Sequence, residues 1–463
     1  MPLPFVSVIV LNYNGKHLLP DCLNSLWRQS YPHERFEVIL VDNASLDGSV
    51  EMVRDKFPWV KVIRNQTNLG FGRANNVAIR QTVGDYVALL NNDAVATEGW
   101  LRELVKAAEG DPRIGICTSK ILFLHNRLPL TITVEPAWFS PSHGRLMGVR
   151  LYDLELEDGQ NRLEYLEGFF GEEMDGARRF RWAQEKALLG FPVRWGDKDL
   201  KLKLVFSVPH PEGKLVRLAL SVAGKEVATR EISGGEIAEW PLTIPQVFLE
   251  EVVPVIQNTG SIVFTDGRGR DRGAYVRDGQ HINEEDKGQY EREEEVFAAC
   301  GAAAIFRRAM LNEVGLFDED FFMYYEDTDL SWRARLLGWK VMYVPSAVVR
   351  HLHCGTSLAW SPLFIYHSSL NRLAMLFKNG SWEQVIPAWT KYFAGTAKDG
   401  LRAFELLLRR CEGWRKMMGY FLLRVRICGA LLLSLPRLLL KRCQIQRSRL
   451  VPQEEINAWL VKG

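Results

Sequence analysis

The sequence predicts an α/β protein whose parallel sheet is interrupted by a β-rich module and followed by a basic helical region. Three observations carry this. In the first third, short β-branched and apolar runs alternate with residues at helix spacing. From about Pro136 to Pro245 that alternation gives way to runs such as LKLKLVFSV, KLVRLALSVAG and KEVATREIS. From 401 to 449, Arg and Lys are interleaved with Leu, Phe, Trp and Tyr. At 463 residues, 47% hydrophobic and 25% charged, the chain is long enough for two or three packed domains. The expected divisions are 1–135, 136–250, 251–380 and 381–463.

Taken in order, Val6 to Leu11, Phe36 to Val41, Val60 to Ile63, Tyr86 to Leu90 and Ile114 to Cys117 read as strands buried on both faces. Leu18, Leu19, Cys22, Leu23, Leu26 and Trp27 recur at helix spacing between the first two. Val50, Met52, Val53 and Phe57 do so after Asp47, a candidate N-cap. Strands alternating with helices predict right-handed βαβ units and a parallel sheet. In the middle, alternating runs joined by turn signals such as PHPEGK and SGGE predict an inserted β-sandwich-like module.

Composition excludes several classes. A formal net charge of +2 argues against a nucleic-acid binder. The cysteines form no CxxC pair, which fits a reducing compartment and excludes a cysteine-rich zinc site of the usual spacing. The opening MPLPFVSVIVLNYN has no basic n-region and too short an apolar run for a signal peptide, so a cytoplasmic location is expected. No GxxxxGK[ST] loop and no GxGxxG follow the first strand, and DGRGRDRG at 266–273 opens no apolar helix and reads as a mobile loop.

Each expected strand ends on polar residues: Asn12, Tyr13 and Asn14; Asp42, Asn43 and Ser45; Asn65 and Asn68; Asn91, Asn92 and Asp93. One such ending is a turn signal, but four in register predict a polar pocket beyond the carboxyl ends of the strands. Without a glycine cradle, a phosphate-bearing ligand there needs a cation, and a carboxylate such as Asp93 suits Mg²⁺ or Mn²⁺ on a diphosphate. A second informative stretch, FFMYYEDTDLSWR, sets Glu326, Asp327 and Asp329 at a helix start beside an aromatic shelf. Acids there suit the helix dipole, or, partly desolvated, general-base chemistry. The small run Ala298 to Ala304 permits close backbone approach.

Together VSVIVLNYNG, VILVDNAS, NLGFGRANN, ALLNND, GLFDEDFFMYYEDTDLSWR and HLHCGTS, in this order, resemble family 2 glycosyltransferases, particularly bacterial rhamnosyltransferase-like members. The resemblance covers about residues 5–125 and 255–380 and implies a GT-A, Rossmann-like core. It implies that Asn12, Asn14, Asp42, Asn68, Arg73, Asn76 and Asn92 line the nucleotide and donor-sugar side. Asn91, Asn92 and Asp93 stand where the family has its Asp-x-Asp metal motif, so the first acid is absent here. Asp93 and Asn91, with His351 or alternatively His353, would hold a divalent metal, and Asp327 would be the catalytic base.

The implied reaction is inverting transfer from a nucleotide-diphosphate sugar to a hydroxyl of a cell-surface glycan or lipid-linked acceptor. The basic tail reads either as an interfacial helix on the inner face of the cell membrane or as a helical hairpin packed on the core, since ICGALLLSLPRLLL is short for a span and holds Pro436 and Arg437. Two other readings stay open: a non-catalytic glycan-binding protein derived from a transferase, favoured by Asn91, and nucleotidyl transfer, which would want the missing Gly-rich phosphate loop.

Overall fold

A computed structural model describes residues 3–140, 145–156, 164–175, 178–193, 199–235, 237–277, 280–352, 361–409 and 413–462. The chain forms two compact units. One comprises Met1–Leu122, Ile256–Ala274 and Gly288–Gly463; the other comprises Phe123–Val255 and Tyr275–Lys287. The division at 122/123, rather than 135/136, arises because Asn126–Glu135 is a strand of the second unit. The C-terminal helices belong to the first unit instead of standing apart.

In the first unit, strands β1 (Val6–Asn12), β2 (Phe36–Asp42), β3 (Lys61–Arg64) and β4 (Tyr86–Asn91) pair in parallel in the order β3-β2-β1-β4. Helices α1 (Leu19–Trp27), α2 (Ser49–Lys56) and α3 (Phe71–Ile79) link them. Successive side chains of a strand face opposite ways. Val6, Val8 and Val10 therefore pack with Leu19, Leu23 and Leu26 of α1 and with Trp100 and Leu104 of α4 (Trp100–Glu109), while Ile9 packs with Ala74, Ala78 and Ile79 of α3. Each such side chain, fully buried, contributes roughly 1.5–3 kcal/mol. Asp47 lies one residue outside the cap of α2, which is Gly48 at φ +78°, yet its carboxylate still accepts the N–H of Ser49 at 3.0 Å.

Beyond β4 the sheet is mixed. The strand Ala303–Arg307 lies between β4 and β6 (Ile114–Phe123), antiparallel to both, and β5 (Ala94–Ala96) pairs antiparallel with the strand Lys340–His351. The expected fifth strand, Ile114 to Cys117, is present as the start of β6 and runs in the same direction as β4, but it is not β4's neighbour, because the antiparallel Ala303–Arg307 lies between them. DGRGRDRG is likewise not a mobile loop. Gly269–Asp271 pairs with Ser261–Val263 as a hairpin whose turn includes Gly267 at φ +80°.

Helices α5 (Arg308–Val314), α6 (Glu326–Leu336), α7 (Pro362–Asn379), α8 (Trp382–Leu408), α9 (Trp414–Ser448) and α10 (Gln453–Trp459) complete the unit. Trp332 and Leu336 of α6 share a core with Leu373 and Phe377 of α7, Val385 of α8, Ile427, Leu431 and Leu438 of α9, and Ile456 of α10. The apolar run of the tail is not cut short. Pro436 lies inside α9, a 35-residue helix that is long and apolar enough to cross a membrane by length and composition. Pro436 is on the exposed side, where its ring displaces no packed neighbour of the core.

The second unit holds one eight-stranded sheet, antiparallel at every pairing between its described strands, with Asn126–Glu135 near its middle. The sheet rolls until its edge strands meet, where Arg230 of Lys225–Ser233 donates to the Glu239 carbonyl of Ile237–Ile244 at 2.7 Å. Leu128, Leu130, Leu189, Phe191, Leu202, Phe206, Leu218 and Leu220 fill the interior as the inner leaves of a sandwich would.

Candidate active site

Strand register builds the polar edge. Asn12 stands opposite Asp42, and Leu11 opposite Asn91, so the carboxyl ends of β1, β2 and β4 are level. The Asn12 amide donates to Asp42 Oδ1 (3.2 Å) and to Ser45 Oγ (3.1 Å), and its oxygen accepts the amide of Asn92 (2.8 Å). Ser45 N–H donates to Asp42 Oδ2 at 3.0 Å, and Asn14, at φ +51°, accepts Leu46 N–H at 2.8 Å. Gly15 is needed here, since a Cβ would stand 2.2 Å from the Asn92 amide nitrogen. A second amide group lies alongside: Asn43 donates to Asn68 Oδ1 (2.9 Å) and accepts from Asn65 (3.0 Å). Asn12 and Asp42 are wholly buried, so in this structure they orient the loops after the strands.

Asp93 is the second residue after β4, and His351 ends the strand that pairs with β5, opposite Ala94. His351 Nε2 lies 2.9 Å from Asp93 Oδ1 and 3.3 Å from the Asn91 amide. His351 Nδ1 lies 2.9 Å from the Gln257 side-chain amide, a contact that fixes the orientation of the ring and keeps Nε2 facing Asp93. A carboxylate oxygen and an imidazole nitrogen this close together are spaced as two neighbouring ligands of one cation would be. One carboxylate, one imidazole and one amide are a donor set that Mn²⁺ or Mg²⁺ accepts when diphosphate and water complete the shell. Among the described residues no group of three or more His, Cys, Asp or Glu side chains gathers for a metal. The alternative ligand His353 lies outside the described residues.

The acidic turn gives its three carboxylates three roles. Asp329 is fully buried and ion-paired with Arg333 and Lys378, each at 2.9 Å; burial alone would raise its carboxyl, but these cations outweigh it and hold it low. Glu326 is 6% exposed, its Oε2 has no hydrogen-bond partner among the described residues, and burial followed by the neighbouring Asp327 charge pushes its carboxyl well up. Asp327 is partly exposed. Burial raises its carboxyl above the ordinary range, against N–H donors from Gly301 (2.8 Å) and Thr328 (2.6 Å) and the Thr328 hydroxyl (3.1 Å). A reachable carboxylate of raised basicity, with its lone pairs oriented by fixed donors, is suited to accept a proton.

Short links join the two acidic groups. Asn91 N–H donates to the Ala302 carbonyl at 2.9 Å, and the preceding residue, Gly301, holds Asp327. At Gly301 a Cβ would come within 3.3 Å of both Asp327 Oδ2 and the Phe71 ring. Gly70, at φ +78°, sits where a Cβ would be 2.2 Å from the Phe322 carbonyl oxygen, so NLGFG and the aromatic shelf touch through backbone.

Two expected ligand contacts are engaged elsewhere. Asn76 is buried and spends its amide on the N–H and carbonyl of Phe317 (3.1 and 2.9 Å), and Arg73 pairs with Glu319 at 3.7 Å. Gln257 and Thr328 are the contributors that sequence reasoning missed, while Asn43 and Ser45, read as part of a polar strand ending, prove to organise the amide groups. Gln257 lies 94 positions from His351 with no local pattern to mark it.

Residues 7–159 match the family described as Glycosyl transferase family 2, and residues 280–372 match Glycosyltransferase like family 2. The chain is 34% identical over 111 residues to glycosyltransferase AglE of Haloferax volcanii, covering 23% of this chain and 36% of that one. It is 36% identical over 101 residues to the poly(ribitol-phosphate) beta-N-acetylglucosaminyltransferase TarS of Staphylococcus aureus, covering 21% and 18%. It is 33% identical over 102 residues to a poly(ribitol-phosphate) beta-glucosyltransferase of Bacillus spizizenii, covering 21% and 16%. The chain thus spans well under two thirds of these relatives. Among solved structures, the mannosyltransferase PcManGT from Pyrobaculum calidifontis with GDP-Man and Mn²⁺ aligns at TM-score 0.41 and 14% identity over 93% of this chain and 87% of that one.

Proposed function

Because the chain belongs to family 2 of the glycosyltransferases, we propose that it moves a sugar from a nucleotide-diphosphate donor to a hydroxyl of a glycan or lipid-linked acceptor, with inversion. The observation that carries this reading is the pairing of Asp93–His351 on one side of the sheet edge with Asp327 on the other, joined through Asn91, Ala302 and Gly301. Asp327 takes the proton of the acceptor hydroxyl as that oxygen bonds to the anomeric carbon and the carbon–oxygen bond to the diphosphate breaks. One displacement reverses the anomeric configuration, and no carboxylate nucleophile is needed. Asp93, His351 and Asn91 would hold Mg²⁺ or Mn²⁺, which when bound stabilises the charge on the departing diphosphate. Asn12, Asn14, Asp42, Asn68 and Asn92 shape the nucleotide side. UDP and dTDP suit these amide and carboxylate groups alike.

The same reading places the protein on the inner face of the cell membrane. Supporting it, α8 exposes Leu401, Phe404 and Leu408, spaced along one side, and α9 exposes Leu422, Val425, Leu432, Leu433 and Leu440. Arg402, Arg409, Arg415 and Lys416 are exposed near the end of this hairpin, the combination an anionic leaflet attracts.

Calorimetric titration with UDP and dTDP, in Mn²⁺ or Mg²⁺ and in EDTA, tests the donor site. Metal-dependent binding of one nucleotide, weakened about tenfold or more in Asp93→Ala, is expected. Absence of binding under every metal condition would overturn the transferase reading in favour of glycan binding alone.

A further inference from the structure

The acidic turn is held from behind by helix α7. Lys378, 1% exposed, ion-pairs with Asp318 before the turn and with Asp329 after it (2.9 Å to the latter). Seven residues earlier on the same helix, and so on the same face, buried Asn371 donates its amide to the carbonyls of Met323 and Tyr324, each at 2.9 Å. The backbone it grips is unusual. Tyr324 and Tyr325 have φ of +70° and +69°, a conformation that side chains other than glycine rarely adopt and that persists only when the surroundings enforce it. Asp329 is braced further by Asn379 at 2.8 Å and Asp318 by Lys441 of α9. Asp327 sits between the tied points, with its own carboxylate untouched by α7 in any described contact.

We propose that Asn371 and Lys378 are positioning residues for the transfer reaction: α7 is a rack that fixes where the Asp327 carboxylate points by holding both ends and the middle of the segment 318–329. The proposal rests on Asp327 being the base. It differs from a role in charge balance alone, because Asn371 carries no charge and grips only backbone carbonyls, those of Met323 and the strained Tyr324, four and three residues before Asp327.

The test uses the full chain with Asn371→Ala and Lys378→Arg. Lys378→Met would take a shared cation from two buried carboxylates, leaving Asp329 to Arg333 and Asp318 to Lys441, and risks not folding, whereas Arg keeps the charge but presents a planar fork that cannot reproduce the contacts of an ammonium with both acids. Nucleotide affinity is read by titration with UDP and dTDP, and turnover with UDP- and dTDP-sugars. Displacement of a reacting group by about 1 Å costs up to ~100-fold. The expected result is a kcat lower by roughly 10- to 100-fold with donor KM and nucleotide Kd within about threefold of wild type. Unchanged kcat in Asn371→Ala overturns the proposal, as does a loss of nucleotide binding that matches the loss of turnover. Asp327→Asn separates the two layers. Wild-type turnover in that variant overturns the base assignment itself, whereas an inactive Asp327→Asn beside a fully active Asn371→Ala overturns the rack alone.

Discussion

Replacing Asp327 by Asn separates catalysis from stability in a way the surroundings of this side chain make calculable. The substitution keeps shape and removes the basic lone pair, so the loss expected of a general base applies, about 10²- to 10⁴-fold in kcat. At 1.36 kcal/mol per tenfold this is about 3–5 kcal/mol of transition-state stabilisation. Stability moves differently. Asp327 accepts N–H groups from Gly301 and Thr328 on its two oxygens, and the amide can satisfy only one of them, so one donor loses its partner at a cost of about 1–3 kcal/mol. Against this, burial raises the Asp327 carboxyl above its ordinary range. The fold then binds that proton more tightly than the unfolded chain does, so stability is fullest below the ordinary carboxyl range and falls as pH rises through the raised value. Asn carries no charge at any pH and relieves that penalty at neutrality. We expect urea unfolding at pH 7.5 to shift by less than about 2 kcal/mol while turnover of UDP- or dTDP-sugars drops at least about 100-fold with nucleotide affinity kept. The same shift puts the acid limb of wild-type kcat above pH 3.8, the ordinary value. Retention of turnover within about threefold would refute the assignment, because a base within reach of substrate is worth more than that.

Two further expectations concern the scaffold and the surface. Gly70→Ala forces a Cβ against the Phe322 carbonyl at a φ of +78°, and should destabilise by at least about 2 kcal/mol in urea titration; an effect below about 0.5 kcal/mol would mean the backbone there relaxes freely. Leu432→Glu with Leu433→Glu alters an exposed stretch of α9 and should leave the melting temperature unchanged while abolishing co-sedimentation with phosphatidylglycerol vesicles; undiminished co-sedimentation would rule that face out as the membrane contact.

The parallel half of the sheet and its polar edge were legible because both are local signals. A run such as VSVIVLN is buried on both faces and is therefore apolar at every position up to its end except Ser7, whose hydroxyl is bonded to Glu37, and its polar ending marks the edge where the helices no longer cover it. The antiparallel entry of Ala303–Arg307 was not legible, since its register with β4 depends on pairing across more than two hundred residues. Among the three acids of YYEDTDL only the family resemblance singles out Asp327; their spacing and neighbours in the chain do not rank them. What ranks them is who arrives from elsewhere: Lys378 and Arg333 at Asp329, Gly301 at Asp327, and no described hydrogen-bond partner at Glu326 Oε2. Pro436 misled in the other direction, because a proline on the exposed side of a long helix costs less than one facing the core. Arg73 and Asn76 follow the NLGFG stretch as the resemblance implies, yet a single carboxylate, Glu319, and the Phe317 backbone engage them first.

The contact between Asn91 and His351 bridges 260 positions of the chain. Strands β1 to β4 can pair once the first hundred residues have left the ribosome, but Asp93 meets its imidazole only when Lys340–His351 has been made and has closed onto β5. Closing so long a loop costs little more than closing a shorter one, since each doubling of length adds only about 0.6 kcal/mol. It does, however, order events in time. A nascent or truncated chain holds the amide cluster without the histidine, so competence to handle a donor arrives as a late step of folding, after the chain beyond the second unit has been threaded back into the sheet.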